Sequence, residues 1–316
     1  MKKICVTGAN GFIGKSLCKA LNSSGRSIRG FVRTLDSNQN STEIEYVSVG
    51  ETSSEINWID QLHGFDCIIH CAGKAHNINE KKNSDNYRLI NTENTKLIAE
   101  QAAKAGVKRF IFLSSVKVNG ESTDKIDNNK MFINNDAADP KDAYSISKFE
   151  AEKVLWEISL RTGLEVVVVR LPLVYGYGAK GNLKRLIKLI NSGIPLPFGL
   201  IKNKRSLIGI DNLIDVLIRC IDHPNAKGKT FLVSDGEDLS TPELIKLIAS
   251  SMERSVRLFP VPVFLLKLLS SILGKQKEIN RLAESLKIDS SYTKETLNWT
   301  PRVTAEEGIR RMVQGK

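Results

Sequence analysis

The segment that most restricts the fold opens the chain: a short apolar strand, Lys3 to Thr7, passes directly into Gly8-Ala9-Asn10-Gly11-Phe12-Ile13-Gly14. A short strand, glycines at spacing G-x-x-G-x-x-G and a helical pattern from Phe12 to Asn22 form the start of a βαβ unit, which a second strand at Ser27 to Val32 completes. The glycines let backbone approach an anion, and the helix amino terminus offers N–H groups and the positive end of its dipole. Gly14 permits close packing of helix on strand. A dinucleotide pyrophosphate is the ligand this arrangement suits.

The alternation continues with strands near Glu45 to Val49, Asp66 to Cys71, Arg109 to Ser114 and Leu164 to Arg170. Between them lie helical patterns near Ser54 to Leu62, Asp85 to Ala105 and Ala143 to Thr162. Strands spaced by helices predict the α/β class, a Rossmann-type doubly wound parallel sheet over residues 1–175. Beyond Tyr175 regular alternation ends in Gly176, Gly178 and Gly181, a basic helix around Leu183 to Asn191 and a Pro/Gly-rich turn. Residues 176–316 are expected to form a smaller mixed α/β substrate lobe, with some segments returning to the first domain. Ser122 to Asp139, rich in Asp, Asn and Lys, reads as a surface loop over the site.

Composition excludes several classes. With 316 residues, 41% apolar and 26% charged, the chain has an ordinary globular profile rather than a disordered or fibrous one. The net charge of +11 raises nucleic acid as a partner, but the basic residues are interspersed with acidic ones and no aromatic-and-basic alternation occurs, so none is expected. Five cysteines without a CxxC pair indicate neither a disulfide framework nor a metal site. The amino terminus enters the glycine turn too soon for a secretory leader, which predicts a cytoplasmic location. The longest apolar stretch, Leu258 to Leu273, has 16 positions broken by Pro260, Pro262 and Lys267. A span needs roughly 20, so no transmembrane segment is expected. The stretch reads as a helix packed in the carboxy-terminal lobe, with weak peripheral membrane contact as the other reading.

Catalytic chemistry is carried by Tyr144-Ser145-Ile146-Ser147-Lys148, Y-x-x-x-K on a predicted helix, where residues four apart share a face. A lysine beside a phenol favours the phenolate and moves its pKa from about 10 towards working pH. The pair then suits alcohol–ketone interconversion. Ser114-Ser115 ends the fifth strand, at the carboxyl edge where such sheets bind ligands. The second strand ends in Arg33, whose guanidinium suits a ribose 2′-phosphate and favours NADP(H). Asp36 nearby suits the free 2′-hydroxyl of NAD(H).

Taken in order, the glycine turn, Cys71-Ala72-Gly73, Asn91, Leu113-Ser114-Ser115-Val116-Lys117-Val118-Asn119-Gly120, the Tyr144/Lys148 pair and Leu171-Pro172-Leu173-Val174-Tyr175-Gly176 resemble the extended short-chain dehydrogenase/reductase family, in its nucleotide-sugar epimerase and dehydratase branch. The resemblance covers nearly the whole chain. It implies Tyr144 as acid/base, Lys148 as its partner and nicotinamide-ribose ligand, Ser115 on the reacting oxygen and Asn91 ordering the catalytic helix. Gly8, Asn10, Gly11, Phe12, Ile13, Gly14, Arg33, Cys71, Ala72, Gly73 and Leu171 would line the cofactor. Asn182 and Arg205 match the contacts to a substrate diphosphate, and Phe198 falls where the nucleoside base is enclosed. A homodimer through the two long helices is a further implication.

Departures from the family pattern narrow the reaction. The dehydratases carry an Asp-Glu pair after the catalytic Ser/Thr, and here Val116-Lys117 stands there, which argues against dehydration. Hydride transfer at C4 of a UDP-linked sugar is left, either as reduction of a UDP-4-keto-6-deoxy-N-acetylhexosamine for surface polysaccharide synthesis or as UDP-glucose or UDP-N-acetylglucosamine 4-epimerisation. Arg33, with Lys117 and His76 as candidate sugar contacts, favours the 4-ketoreductase. His76 equally suits a loop cap. A protein that kept the fold and lost the chemistry would have a broken Ser, Tyr or Lys, and all three are intact.

Overall fold

The structure, a computed structural model, describes residues 2–35, 44–50, 56–74, 84–124 and 130–315. His76 and Asp36 lie outside these residues. In chain order the first half runs β1 (Ile4–Thr7), α1 (Phe12–Ser23), β2 (Ile28–Val32), β3 (Glu45–Ser48), α2 (Trp58–Leu62), β4 (Cys67–His70), α3 (Ser84–Arg88), a π-helical turn at Leu89–Glu93, α4 (Asn94–Lys104), β5 (Arg109–Ser115), α5 (Ala143–Thr162) and β6 (Glu165–Leu171). The second half holds β7 (Leu173–Tyr175), α6 (Asn182–Asn191), β8 (Arg205–Gly209), α7 (Ile210–Asp222), β9 (Lys229–Leu232), β10 (Asp238–Leu239), α8 (Thr241–Ser251), α9 (Val263–Ile272), α10 (Gln276–Ala283), α11 (Ser291–Leu297) and α12 (Ala305–Gln314).

Seven strands pair in parallel in the order β3-β2-β1-β4-β5-β6-β9. The strands are buried on both sides because period-two alternation sends their side chains to two separate cores. Ile111, Val167 and Val169 meet Leu17 and Leu21 of α1 and Leu213 and Leu217 of α7 on one face. Phe110, Phe112, Val166 and Val168 meet Ile98 and Ala102 of α4 and Leu155 and Ile158 of α5 on the other. Strand order reverses between β1 and β4, which opens a crevice at their carboxyl ends.

The smaller sheet has the order β10-β8-β7, and its helices close a third apolar core around Tyr175, Leu183, Ile245 and Ile309. The chain crosses between the two parts more than once: α7 packs on α1, and β9 forms the seventh strand of the large sheet beside β6. Tyr175 donates to Asp235 at 2.7 Å, and Asp235 also accepts from Asn212 at 2.7 Å and from the Gly209 N–H, which joins β7, β8 and α7.

Two expectations are corrected. The predicted continuous helix from Asp85 to Ala105 is interrupted by the π turn, a wider turn that pushes Asn91 and Thr92 inward. The 122–139 segment is no loose surface loop where it is described: Phe132 is buried, its N–H donates to Lys287 O at 2.8 Å, and Thr123 N–H donates to Ser285 O at 2.9 Å. A single apolar anchor, Phe132 beneath Gly120, outweighs the polar composition around it.

Candidate active site

The glycine turn is built for close backbone approach. Gly8 has φ +66°, a conformation favourable to glycine, and a Cβ there would stand 2.9 Å from the Ala72 backbone. A Cβ on Gly14 would come within 2.2 Å of Gly8 O, so helix and turn meet only without side chains. No side chain caps α1 at Gly11, and its first turn carries no acidic residue, so its N–H groups face the crevice with an electropositive helix end. Phe12 reaches the loop after β7, lying 3.4 Å from the position of a Cβ on Gly176. Asn10 is exposed and Ile13 half-buried at the same corner, while Arg33 is exposed just past β2. These residues fit a dinucleotide: the cradle is one that any larger side chain would fill.

Under the turn runs a directed chain of hydrogen bonds. Ala72 N–H donates to Thr7 Oγ1 at 3.2 Å, and Thr95 Oγ1 donates to Asn91 O at 2.8 Å. His70 bridges them, with Nδ1 2.9 Å from Thr7 Oγ1 and Nε2 3.1 Å from Thr95 Oγ1. The two threonine hydroxyl protons are thereby placed: Thr7 donates to Nδ1, and Nε2–H donates to Thr95. Burial lowers the His70 pKa to about 3, so the ring is the neutral Nε2–H tautomer that this chain requires.

Asn91 joins the loop after β4 to the catalytic helix. Its Oδ1 accepts from Lys74 N–H at 2.8 Å, and its Nδ2 donates to Ser147 Oγ at 3.0 Å and to Lys74 O at 3.2 Å. Ser147 in turn donates to Tyr144 O at 2.7 Å. A Cβ on Gly73 would stand 3.1 Å from Asn91 Oδ1 and 3.2 Å from Lys148 Nζ. The Cys71-Ala72-Gly73 loop therefore lies directly against Asn91 and Lys148.

α5 starts at a capping box in which Asp142 accepts from Ser145 N–H at 2.7 Å and Ser145 Oγ accepts from Asp142 N–H at 3.1 Å. From this start, Tyr144, Lys148 and Glu152 fall on one face, turned towards β5. The Ser115 hydroxyl is hydrogen-bonded to the Tyr144 phenol, and Leu171 stands opposite Ser115 in the register of β5 and β6. Burial pushes Tyr144 up to about 12, against the downward pull of Ser115. The net direction is therefore upward, where a lysine beside the phenol was expected to bring it down. Lys148 Nζ donates to Leu113 O at 2.9 Å and sits 4.5 Å over the Phe112 ring, and burial lowers its own pKa to about 8.

Several side chains that position the site were not singled out from the sequence. Arg170 grips Glu152 with Nε–Oε1 at 3.0 Å and Nη2–Oε2 at 2.6 Å, and its Nη1 donates to Asn119 at 3.0 Å. Ser114 donates to the same carboxylate at 2.5 Å. This buried network, one helical turn beyond Lys148, locks α5, β5, β6 and the turn after Ser115 together. The period of β6 could have flagged Arg170 as a charge within an otherwise apolar strand.

The substrate-side candidates fall in different settings. Lys117, the candidate sugar contact, pairs with Asp142 at 2.5 Å and with Glu121 at 3.6 Å. Burial opposes ionisation of Asp142, yet Lys117 and the Ser145 amide hold its carboxyl below the ordinary value. Phe198, expected against the base, is packed into the lobe core beside Leu183 and Leu196. Arg205 is directed by Nη1 to the carbonyls of Arg281 at 3.2 Å and Glu284 at 3.0 Å, and burial lowers its pKa to about 10. Asn182, exposed, opens α6.

Fold and site define a dinucleotide-dependent oxidoreductase with a Ser-Tyr-Lys centre. The profile of the NAD dependent epimerase/dehydratase family matches residues 4–234, and the chain belongs to that family. It is 40% identical over 317 aligned residues to UDP-glucose 4-epimerase of Vibrio cholerae, covering 99% of this chain and 95% of that one. It is 24% identical to N-acetyl-alpha-D-glucosaminyl-diphospho-ditrans,octacis-undecaprenol 4-epimerase of Escherichia coli O157:H7, over 88% of this chain and 82% of the relative. Among solved structures, UDP-glucuronic acid 4-epimerase from Bacillus cereus in complex with NAD superimposes with a TM-score of 0.81 at 19% identity, covering 99% and 97% of the two chains. The protein is thus an enzyme, an NAD-dependent sugar epimerase or reductase of the extended short-chain type.

Proposed function

We propose that the chain is a UDP-hexose 4-epimerase that oxidises and re-reduces C4 of its sugar. The observation that carries the reading is the convergence of Ser115, Tyr144 and Lys148 at the carboxyl end of β5, with Val116 and Lys117 in place of an acid–base pair for dehydration. The Vibrio cholerae relative, similar over its whole length, supports epimerisation over net reduction. The glycine turn and the Asn91–Lys148 corner would hold oxidised nicotinamide dinucleotide, which would supply the hydride acceptor and a positive charge.

In this reading Tyr144 removes the proton from the C4 hydroxyl and returns it after the sugar has presented its other face. Ser115 holds the same oxygen while it is a ketone and passes hydrogen-bond support between sugar and phenol. Lys148 lowers the cost of the phenolate, working against the burial that raises Tyr144. Inversion at C4 requires the ketone to turn over between the two transfers, so the enzyme must hold the sugar chiefly by its diphosphate. Asn182 and Arg205 are our candidates for that grip, with Arg205 retaining donors beyond those given to Arg281 and Glu284. The exposed Leu89, Ile146 and Leu160 on the two long helical segments support pairing of two copies there.

Arg33 favours the second reading, a 4-ketoreductase using NADPH, because a guanidinium at the end of β2 pairs with a 2′-phosphate. One experiment separates the two. Purified protein with NAD is given UDP-glucose or UDP-N-acetylglucosamine, and the products are resolved by NMR. Appearance of the C4 epimer is expected. Absence of epimer, together with stoichiometric loss of NADPH absorbance on a UDP-4-keto-6-deoxy sugar, would establish the reductase instead.

A further inference from the structure

The carboxy-terminal lobe carries a helix turned inside out. α9 places Phe264, Leu268 and Ile272 on one i,i+4 ridge and Leu265, Leu269 and Leu273 on the adjacent one, and all six are exposed, Phe264 at 68% and Ile272 at 75%. The inward side holds Leu266, which is 6% exposed, the buried Ser270 and Lys267, which pairs with Glu284 at 3.6 Å. Six large apolar side chains thus face outward, and only Leu266 and Ser270 of the helix are buried against the lobe. The helix is held in this orientation by Leu266, which belongs to the lobe core. The apolar surface continues through Phe259, also exposed, whose segment is hydrogen-bonded to Leu196 and Gly199.

Charge decides what covers this face. Between Glu253 and Glu278 the chain has no acidic residue, whereas Arg254 and Arg257 precede the helix and Lys275 and Lys277 follow it. Large apolar patches on soluble surfaces mark contact sites, and one with cations at both ends suits an anionic apolar phase. A second copy of the chain fits poorly, since a two-fold interface would set one cationic rim against another. At 10 residues, about 15 Å by helical rise, α9 is far too short to cross a bilayer, and no described helix is long and apolar enough to do so.

We propose that α9 and its basic flanks dock the enzyme on the surface of an anionic phospholipid bilayer, the helix lying in the interfacial plane with its two ridges among the acyl chains. The proposal concerns a face outside the Ser115, Tyr144 and Lys148 cluster and stands whichever C4 reaction the enzyme performs.

The test uses the full chain, sedimented with vesicles of phosphatidylethanolamine and phosphatidylglycerol and, in parallel, of phosphatidylcholine alone. Pelleting with the anionic vesicles and far less with the neutral ones is expected. Replacing Leu268→Asp with Ile272→Asp should lower partitioning about a hundred-fold, the loss expected when two large side chains no longer bury. Lys275→Ala with Lys277→Ala should lower it roughly thirty-fold. All four positions are exposed, so thermal unfolding by circular dichroism should match the parent. Protein left entirely in the supernatant with anionic vesicles overturns the proposal. So does a dimer, seen by light scattering, that the Leu268→Asp, Ile272→Asp variant dissociates, because that assigns the face to a second copy.

Discussion

At the residue scale the site is a set of titrating groups displaced by burial. Burial raises Tyr144 to about 12, so the phenolate that would take the C4 hydroxyl proton has to form against that burial. The Tyr144→Phe variant should lose about 10² to 10⁴ in kcat with KM for the sugar little changed, as steady-state kinetics would reveal. A variant with near-parental kcat would remove Tyr144 from the chemistry. His70 gives a stability prediction. Its folded value, near 3, lies below the ordinary 6.5 of the unfolded chain. Between those values the unfolded state binds a proton that the folded state refuses, so stability rises with pH across the window and falls on acidification. The stability difference between parent and His70→Gln should shrink by up to about 1.4 kcal/mol per pH unit below about pH 6 and be flat above pH 7. Denaturant unfolding at pH 5, 6, 7 and 8 measures it, and a difference constant with pH would show that His70 is not held neutral.

At the element scale, α5 is the part that turns sequence into geometry. Its capping box, Asp142 with Ser145, and its left-handed stop at Gly163 are local features, and its predicted ends match the structure. Its placement is not local: Glu152 is held from β6 by Arg170 and from β5 by Ser114. Glu152→Ala leaves Arg170 buried without its partner and should cost about 3–5 kcal/mol of unfolding free energy. Restoring apolar packing with Glu152→Leu and Arg170→Met together should recover much of it, a contrast that chemical denaturation reads directly. A loss below about 1 kcal/mol for Glu152→Ala would mean that water reaches the pair. The π turn at Leu89–Glu93 belongs to this scale too, since propensity marks a helix there and only the inward pull of Asn91 on Lys74 and Ser147 widens the turn.

At the scale of the whole molecule, the two cores of the large sheet and the lobe core share elements, so the parts should unfold together rather than independently. β9 leaves the lobe to complete the large sheet, and the Tyr175–Asp235–Asn212 cluster ties both parts at their junction. Pairing through α4 and α5 should give a particle of about twice 35.1 kDa by light scattering. Leu160→Asp, at a site 90% exposed in the single chain, should return it to monomer without changing the unfolding midpoint. A monomeric parent at micromolar concentration would dispose of that pairing.

The sequence by itself determined the parallel sheet, the glycine turn and the helix that carries Tyr144 and Lys148. Those features follow from the period of apolar residues, from glycine geometry and from side chains four apart on a helix, all of which act over short distances. What tertiary structure alone decided are contacts between residues far apart in the chain. Lys117 pairs with Asp142, Phe198 joins the lobe core, Lys148 donates to Leu113 O, and Phe132 pins a polar segment. The same holds for α9: its apolar composition was plain, but burial against the lobe or exposure to a surface depends on which side the rest of the fold covers. Here the fold covers Leu266 and Ser270 and leaves Leu265, Leu268, Leu269 and Leu273 outside.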